Sequence, residues 1–293
     1  MSKVTAFFLG ITAYVIWGLS PIYFKSIQAL PATEIILHRI IWSAICCLLV
    51  LFFITQKSQW LLLLKHPKYI VILMCTGLIL SGNWLLYVWA INNGYMFETS
   101  LGYYINPLIS VFLGMVVLKE KLQKLQWLAI ILAATGVLIQ IILLGSLPWI
   151  SLLLGLSFAF YGLIRKIVPV QVFTGMFIET WILVPVALFW LWYHPTAETL
   201  QPYFWGDHLW LLCMLAGPLT LVPLILFNLA AKNLPYSTIG FLQYTSPTLV
   251  FLLATFYFKE HLNLYTLITF AFIWAALIIF SINSYMMVRK NRH

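Results

Sequence analysis

From end to end the chain is a succession of apolar runs joined by short polar connections. A helix rising 1.5 Å per residue needs about 20 apolar residues to cross a hydrocarbon core about 30 Å thick. The spacing predicts ten spans, near 4–24, 34–55, 69–91, 97–118, 125–144, 148–165, 173–192, 209–230, 237–258 and 264–284. Lipid offers the backbone no hydrogen-bonding partner, so spans of this length must be helices. The longest connections, near 56–68 and 193–208, leave no room for a soluble module. The expected fold class is all-α, a polytopic membrane bundle of ten transmembrane helices.

Composition closes off the other classes. Hydrophobic residues make up 63% of the chain and charged residues 8%, where a soluble domain carries about 25% charge. So little charge could not cover a soluble surface, which excludes a cytosolic enzyme, a secreted domain, a nucleic-acid-binding module and a disordered chain. The net charge of +9 is a topology signal. With the N-terminus in the cytoplasm, thirteen of the sixteen Lys and Arg residues fall on the cytoplasmic side, among them Lys57, Lys119, Lys121, Arg165, Lys166 and Lys232. Only Lys25 and Lys259 fall outside, and Arg39 lies within a span. This bias puts both termini in the cytoplasm. The first apolar run starts almost at Met1 and is too long for a signal-peptide core, so it is expected to be a retained span. Cys46, Cys47, Cys75 and Cys213 sit in apolar runs, without metal or redox spacing, and read as small buried hydrophobes.

The second half of the chain echoes the first. NPLISVFLGMVVLKEKL begins at residue 106 and SPTLVFLLATFYFKEHL at residue 246. Pro107, Lys119, Glu120 and Leu122 thereby align with Pro247, Lys259, Glu260 and Leu262, and Gly77, Ala90 and Asn93 with Gly217, Ala230 and Asn233. The expected units are residues 1–144 and 145–293, each with five spans. Five is odd, so the second unit must enter the membrane from the opposite face. Inverted repeats of this kind are characteristic of secondary transporters, whose related halves exchange inward-open and outward-open shapes around a midplane site.

Charge at membrane depth is costly and faces a cavity or a partner. The candidates are His38 and Arg39 in span two, Glu98 at the start of span four and Glu179 in span seven. Arg39 and Glu179 occupy equivalent positions of the two repeats with opposite sign. At 1.5 Å per residue, Arg39 lies roughly 7 Å below the outer surface and Glu179 roughly 9 Å above the inner one, so a direct bridge between them is not expected. Glu34 and Glu98 are the expected acidic partners of His38 or Arg39. Arg39 reads either as part of an ion pair locking helices or as the anchor of an anionic substrate group. Glu179, His38 and Glu98 are the candidates for proton coupling, His because its ordinary pKa lies near neutrality. Asn83, Asn106 and Gln243 add polar groups within spans, where they serve either a pathway or helix-to-helix adhesion. Pro107 and Pro247 are expected to kink their helices. Tyr14, Trp17, Trp42, Trp84, Tyr87, Tyr103, Tyr161 and Tyr244 could wall a cavity suited to an amphipathic organic molecule. Trp60, Trp149, Trp192 and Trp205, near span ends, suit an interfacial belt.

No GxxxxGK[ST] loop, HExxH pair, GxGxxG turn or GxSxG elbow occurs, and Asp207 is the sole aspartate. Neither an enzyme, a metal site nor a cofactor is expected.

The stretches AYVIWGLSPIYFK, EIILHRIIWS, GNWLLYVWAINN, ETSLGYYINPL, SFAFYGLIRK, TGMFIETW and GFLQYTSPTLVFLL resemble, in order and over the length of the chain, the RarD branch of the EamA family in the drug/metabolite transporter superfamily. The resemblance implies a bacterial inner-membrane permease of two inverted five-helix repeats. It also implies a cavity built mainly by the first four helices of each repeat, with the fifth and tenth packed outside. Family members bear chloramphenicol-related names. The expected function is export of small organic metabolites or drugs, such as chloramphenicol-like or amino-acid-like compounds, by alternating access. The expected partners are the small-molecule substrate, protons as candidate coupling ion and membrane lipid, with no nucleic acid and no obligate protein partner. A passive channel is the competing reading; sparse, clustered polar positions argue against its continuous polar lining.

Overall fold

Ser2 opens the first helix: its hydroxyl accepts from the Thr5 amide at 3.0 Å, satisfying one of the free donors of a helix start. The computed structural model describes residues 1–53, 57–93, 95–144, 148–194, 197–201, 208–257 and 264–290. The expectations for Trp205, Asp207, Lys259, Glu260 and Leu262 lie outside the described residues. The helices are α1 (Lys3–Ser26), α2 (Ala32–Phe53), α3 (Lys57–Lys65), α4 (Lys68–Asn92), α5 (Met96–Val116), α6 (Lys124–Leu144) and α7 (Trp149–Ile167). They continue with α8 (Val172–Trp181), α9 (Val184–Tyr193), α10 (Leu209–Asn233), α11 (Tyr236–Gln243), α12 (Thr245–Leu252) and α13 (Leu264–Lys290). No strand occurs among the described residues, so the protein is all-α.

Seven stretches are long and apolar enough to cross a membrane, and three shorter apolar helices, Leu101–Val116, Lys124–Ile139 and Leu267–Phe280, fall on the expected fourth, fifth and tenth spans. Span seven differs from expectation. It is two helices, α8 and α9, parted at Ile182 and Leu183. Pro185, at the second position of α9, has no amide to donate and its ring crowds the carbonyl one turn earlier. Span nine likewise divides at Tyr244 into α11 and α12, three residues before Pro247, whereas α5 runs unbroken through Pro107. The sequence reading also missed α3. Its KSQWLLLLK is too short to span; Leu63 is buried beside Leu73, Val168 and Val170, while Leu61 and Leu64 remain exposed.

The bundle is arranged for lipid. Phe52, Leu64, Ile142, Trp192 and Phe256 are among its most exposed side chains, and Arg165, Thr76, Asn228 and Glu179 are among its most buried. Trp60 and Trp149, at helix starts, are also exposed, as an interfacial belt requires. Helix α1 packs on α10 and α12, α2 on α10 and α8, α4 on α7 and α8, and α5 on α7 and α11; α6 and α13 pack on one another. Two glycines set close crossings around the buried charges. A Cβ on Gly77 would lie 2.9 Å from the Glu179 carbonyl oxygen, and one on Gly217 would lie 2.6 Å from the Trp42 carbonyl carbon. Bare backbone therefore lets α4 close on α8, and α10 on α2.

Candidate functional site

The crossings of α2, α4, α8 and α10 enclose a cavity of about 20 Å³, lined by Arg39, Ser43, Trp84, Glu179, Thr180 and Thr220 among others. It holds little more than a water. Arg39 and Glu179 thus line one cavity without pairing.

Arg39 projects from the middle of α2. Its Nε donates to Thr220 Oγ1 at 3.0 Å. Its guanidinium lies over the Trp84 ring at 4.2 Å and near the Phe24 ring at 5.5 Å. The phenols of Tyr23, Tyr87 and Tyr103 are within electrostatic reach. An arginine face on an indole is a favourable cation–π arrangement, and it leaves the edge of the guanidinium for an anion.

The expected acidic partners go elsewhere. Glu34 accepts from the backbone amides of Glu198 and Thr199 at 2.9 and 2.8 Å, closing the short 3-10 turn Glu198–Leu200. Glu98 accepts from the Ile150 amide at 3.3 Å, at the start of α7. Both carboxylates serve unpaired backbone donors at helix starts, where an anion is favoured. Glu34 stays within electrostatic reach of His38. Among the described residues the one ion pair is Arg165–Glu179.

The sequence reading counted Arg165 with the cytoplasmic charges and gave it no partner; the structure pairs it with Glu179. Arg165 is 0% exposed, in the last turn of α7, with its Nε 3.3 Å from Glu179 Oε1. Thr76 on α4 donates to Glu179 Oε1 at 2.6 Å, and Tyr161 on α7 donates to Glu179 Oε2 at 3.4 Å. Asn228 on α10 donates to the Tyr161 oxygen at 3.0 Å, and Met176 stands beside both. Gly175 makes the room: a Cβ there would fall 2.1 Å from Arg165 Nη1. Tyr161 and Arg165 are four apart on α7 and share a face; that spacing was the available signal for Arg165. Asn228 and Thr76, lone polar residues in apolar runs, were also missed.

The remaining expected residues divide into walls and ties. Tyr14 is buried against Trp17 and Phe227, and Trp17 meets Phe158 and Phe227, an aromatic group that reaches Tyr161 through Phe158. The Tyr14 hydroxyl has no hydrogen-bond partner among the described residues. Trp42 Nε1 donates to His38 Nδ1 at 3.2 Å, so these two residues share a face of α2. Tyr87 and Tyr103 meet edge to face at 5.8 Å. Asn83 bonds the Leu154 carbonyl and Ser157, and Asn106 bonds the Gly155 carbonyl at 2.8 Å, each tying its helix to α7. Tyr244 donates to the Tyr104 carbonyl at 3.2 Å, and Gln243 is buried at the end of α11. In this conformation the two asparagines and Tyr244 act as helix adhesion.

Comparison with known proteins places this geometry. Residues 4–142 match the EamA-like transporter family. An uncharacterized transporter of Pseudomonas aeruginosa is 52% identical over 284 residues, covering 96% of this chain and 95% of that protein. Protein RarD of Salmonella typhi is 47% identical, covering 96% of each. The chain belongs to the RarD branch of the EamA-like transporter family. As such it is a multi-pass membrane transporter of the drug/metabolite transporter superfamily. A crystal structure 16% identical to this RarD-branch chain aligns with a TM-score of 0.71, covering 95% of this chain and 97% of the other, and shares its fold.

Proposed function

We propose that the chain is a secondary transporter of the bacterial inner membrane that exports small organic molecules bearing an anionic group, by alternating access between residues 1–144 and 145–293. The observation that carries this reading is the environment of Arg39. A cation at membrane depth lines a cavity, bonded to one neutral hydroxyl and lying on an indole face, with no acidic side chain in ion-pair reach among the described residues. Burying such a charge is costly unless something completes it, and a substrate carboxylate supplies the missing countercharge. Trp84 and the nearby phenols suit an aromatic or amphipathic body; amino-acid-like compounds meet both requirements, whereas chloramphenicol, aromatic but uncharged, meets only the second.

The size of the cavity supports alternating access over a standing pore. About 20 Å³ admits no organic substrate, so passage requires helices to part. The packing supports an inverted repeat: if spans one to five exchange with spans six to ten, α1 on α10 maps to α7 on α4, α2 on α10 to α8 on α4, and α6 on α13 to itself, each a packed pair. The positive-inside bias supports cytoplasmic termini. Glu179, His38 and Glu98 remain the groups on which a coupling proton could ride.

An accumulation screen comparing cells with and without the protein would nominate substrates, and proteoliposome flux then tests the reading. Uptake that saturates and shows counterflow is expected. Flux that rises linearly with concentration and shows no counterflow would overturn it.

A further inference from the structure

Glu179 sits in a network built to accept a proton, and the ion pair beside it is loosely made. A structural arginine–carboxylate lock engages two parallel N–H donors. Arg165 has one nitrogen within ion-pair distance, and its Nε and Nη1 donate no hydrogen bond among the described residues; Nη2 goes to the Val172 carbonyl at 3.2 Å. The bonds to the carboxylate come instead from two hydroxyls, Thr76 and Tyr161. A hydroxyl both donates and accepts, so each can serve the carboxylate or the carboxylic acid.

Asn228 completes the logic. Its amide nitrogen donates to the Tyr161 oxygen, while its Oδ1 has no partner among the described residues. With Glu179 charged, hydrogen bonds run from Asn228 to Tyr161 to Glu179. With Glu179 protonated, the acid O–H donates to Tyr161, and a turned Asn228 amide accepts from Tyr161 through the idle Oδ1. The direction of the chain reverses, and the turned amide gives up the bond its nitrogen makes to the Leu224 carbonyl at 2.8 Å. The electrostatic consequence is larger, because the charge opposite Arg165 disappears.

We propose that Arg165 is the positioning residue for Glu179 as a proton carrier: paired, it keeps the carboxylate charged and the corner between α7 and α8 closed, and protonation of Glu179 releases it and opens that corner. This rests on the transporter reading above and specifies its coupling site. The groups facing Glu179 are Arg165 and Tyr161 from α7, the Thr76 hydroxyl from α4, and Asn228 and the Lys232 ammonium from α10. The Cys47 thiol from α2 and Thr180 on α8 itself complete the set. Lys232 is committed to the carbonyls of Val168 and Val170 just past α7, whereas Arg165 gives one nitrogen to the Val172 carbonyl and keeps its Nε within ion-pair distance of the carboxylate.

Cys47 reports on the corner, since it is buried facing Thr180 and Glu179. In the full chain with Cys46, Cys75 and Cys213 replaced by alanine, reconstituted in liposomes, N-ethylmaleimide labelling of Cys47 is followed from about pH 5 to about pH 8. Divided at each pH by the labelling rate of the same thiol in denatured protein, which removes the loss of thiolate in acid, labelling is expected to rise roughly tenfold as pH falls, through a shift in population toward the open corner. On the same corrected scale Glu179→Gln and Arg165→Gln should each label fast at every pH. Arg165→Lys should restore a pH-dependent step with a displaced midpoint. Gly175→Ala, which displaces the guanidinium without changing charge, should behave like Arg165→Gln and serves where that variant fails to fold. Labelling that merely tracks thiolate formation, or Arg165→Gln and Gly175→Ala protein that keeps the wild-type pH profile, would overturn the proposal. The readout needs no substrate, so it can fail while counterflow stands, and the loss of counterflow would sink the transporter reading alone.

Discussion

Arg39 and Glu179, 140 residues apart and opposite in charge, line one cavity, and each is hydrogen-bonded to a threonine from the other half of the chain: Arg39 donates to Thr220 at 3.0 Å, and Thr76 donates to Glu179 at 2.6 Å. The correspondence extends to the backbone. Gly77, 140 residues before Gly217, meets Glu179 and Ile182, while Gly217 meets Trp42, 140 residues before Ile182. The same crossing is thus built twice, with a cation on one copy and an anion on the other. The anion has acquired a private counterion, Arg165, whereas among the described residues the cation has none, the asymmetry on which the proposal of an anionic substrate rests.

The two glycines test whether these crossings hold the bundle. Gly217→Ala places a Cβ 2.6 Å from the Trp42 backbone, whereas a Cβ on Gly82 meets nothing within 4 Å. Overpacking of this kind costs about 1–3 kcal/mol. Thermal unfolding in detergent, followed by fluorescence-detected size exclusion, should show Gly217→Ala clearly destabilised and Gly82→Ala unchanged or slightly stabilised. Equal behaviour of the two would mean that the α2–α10 crossing is looser than described.

Removing one member of a buried pair strands the other. Arg165→Gln or Glu179→Gln alone should therefore cost about 3–5 kcal/mol, and the double change considerably less than their sum. The check is a double-mutant cycle on unfolding in detergent at neutral pH. Additive single effects would show that the two charges do not interact.

The sequence disclosed most of the architecture, because lipid imposes so strict a rule on backbone bonding. Span positions follow from apolar length, and the family follows from motifs that recur in order. Where the reading stopped short, the reason lies in three dimensions. Arg165 stands beside Lys166 at a helix end and looks like a surface pair. Yet the two point differently: Lys166 reaches the Ala231 and Leu234 carbonyls at the end of α10, while Arg165 turns inward over Gly175. Nothing in one-dimensional spacing says that a glycine ten residues away clears a path for a guanidinium. Glu34 and Glu98 failed as partners for Arg39 for a similar reason, since backbone amides of segments remote in sequence reach them first.

If Arg39 anchors an anionic group, charge should matter more than shape. Benzoate and benzamide are nearly isosteric and differ in charge. Benzoate should raise the thermal stability of the wild-type protein through binding to the folded state, and benzamide should not. Arg39→Ala should abolish the benzoate shift. Arg39→Lys should weaken it, because a lysine keeps the charge but loses the planar fork. Trp84→Leu should weaken it as well, by removing a cation–π contact worth about 0.5–2 kcal/mol for holding the guanidinium in place. A benzoate shift that survives Arg39→Ala would place the anion elsewhere.

Glu120 tests the link between the halves at the far end of α5. Lys119 takes a left-handed backbone conformation, φ 55°, and Glu120 returns its amide to the Gly114 carbonyl at 3.0 Å. The carboxylate then accepts from the Tyr236 amide at 2.5 Å and from the amide and hydroxyl of Ser237 at 2.9 and 2.7 Å. It therefore caps α11 from the other half of the chain, an anion at the positive end of a helix. Glu120→Ala strands three donors and should cost about 2 kcal/mol. Glu120→Gln retains an acceptor but loses the charge, and should fall between Ala and wild type. Ser237→Ala removes a single bond of the three and should cost about 1 kcal/mol. Lys119→Gly should be tolerated or stabilising, since glycine adopts the left-handed conformation without penalty. The order Glu120→Ala, Glu120→Gln, Ser237→Ala in decreasing loss of thermal stability is the expected result; a Glu120→Ala protein as stable as wild type would remove Glu120 from the contacts that join α5 to α11.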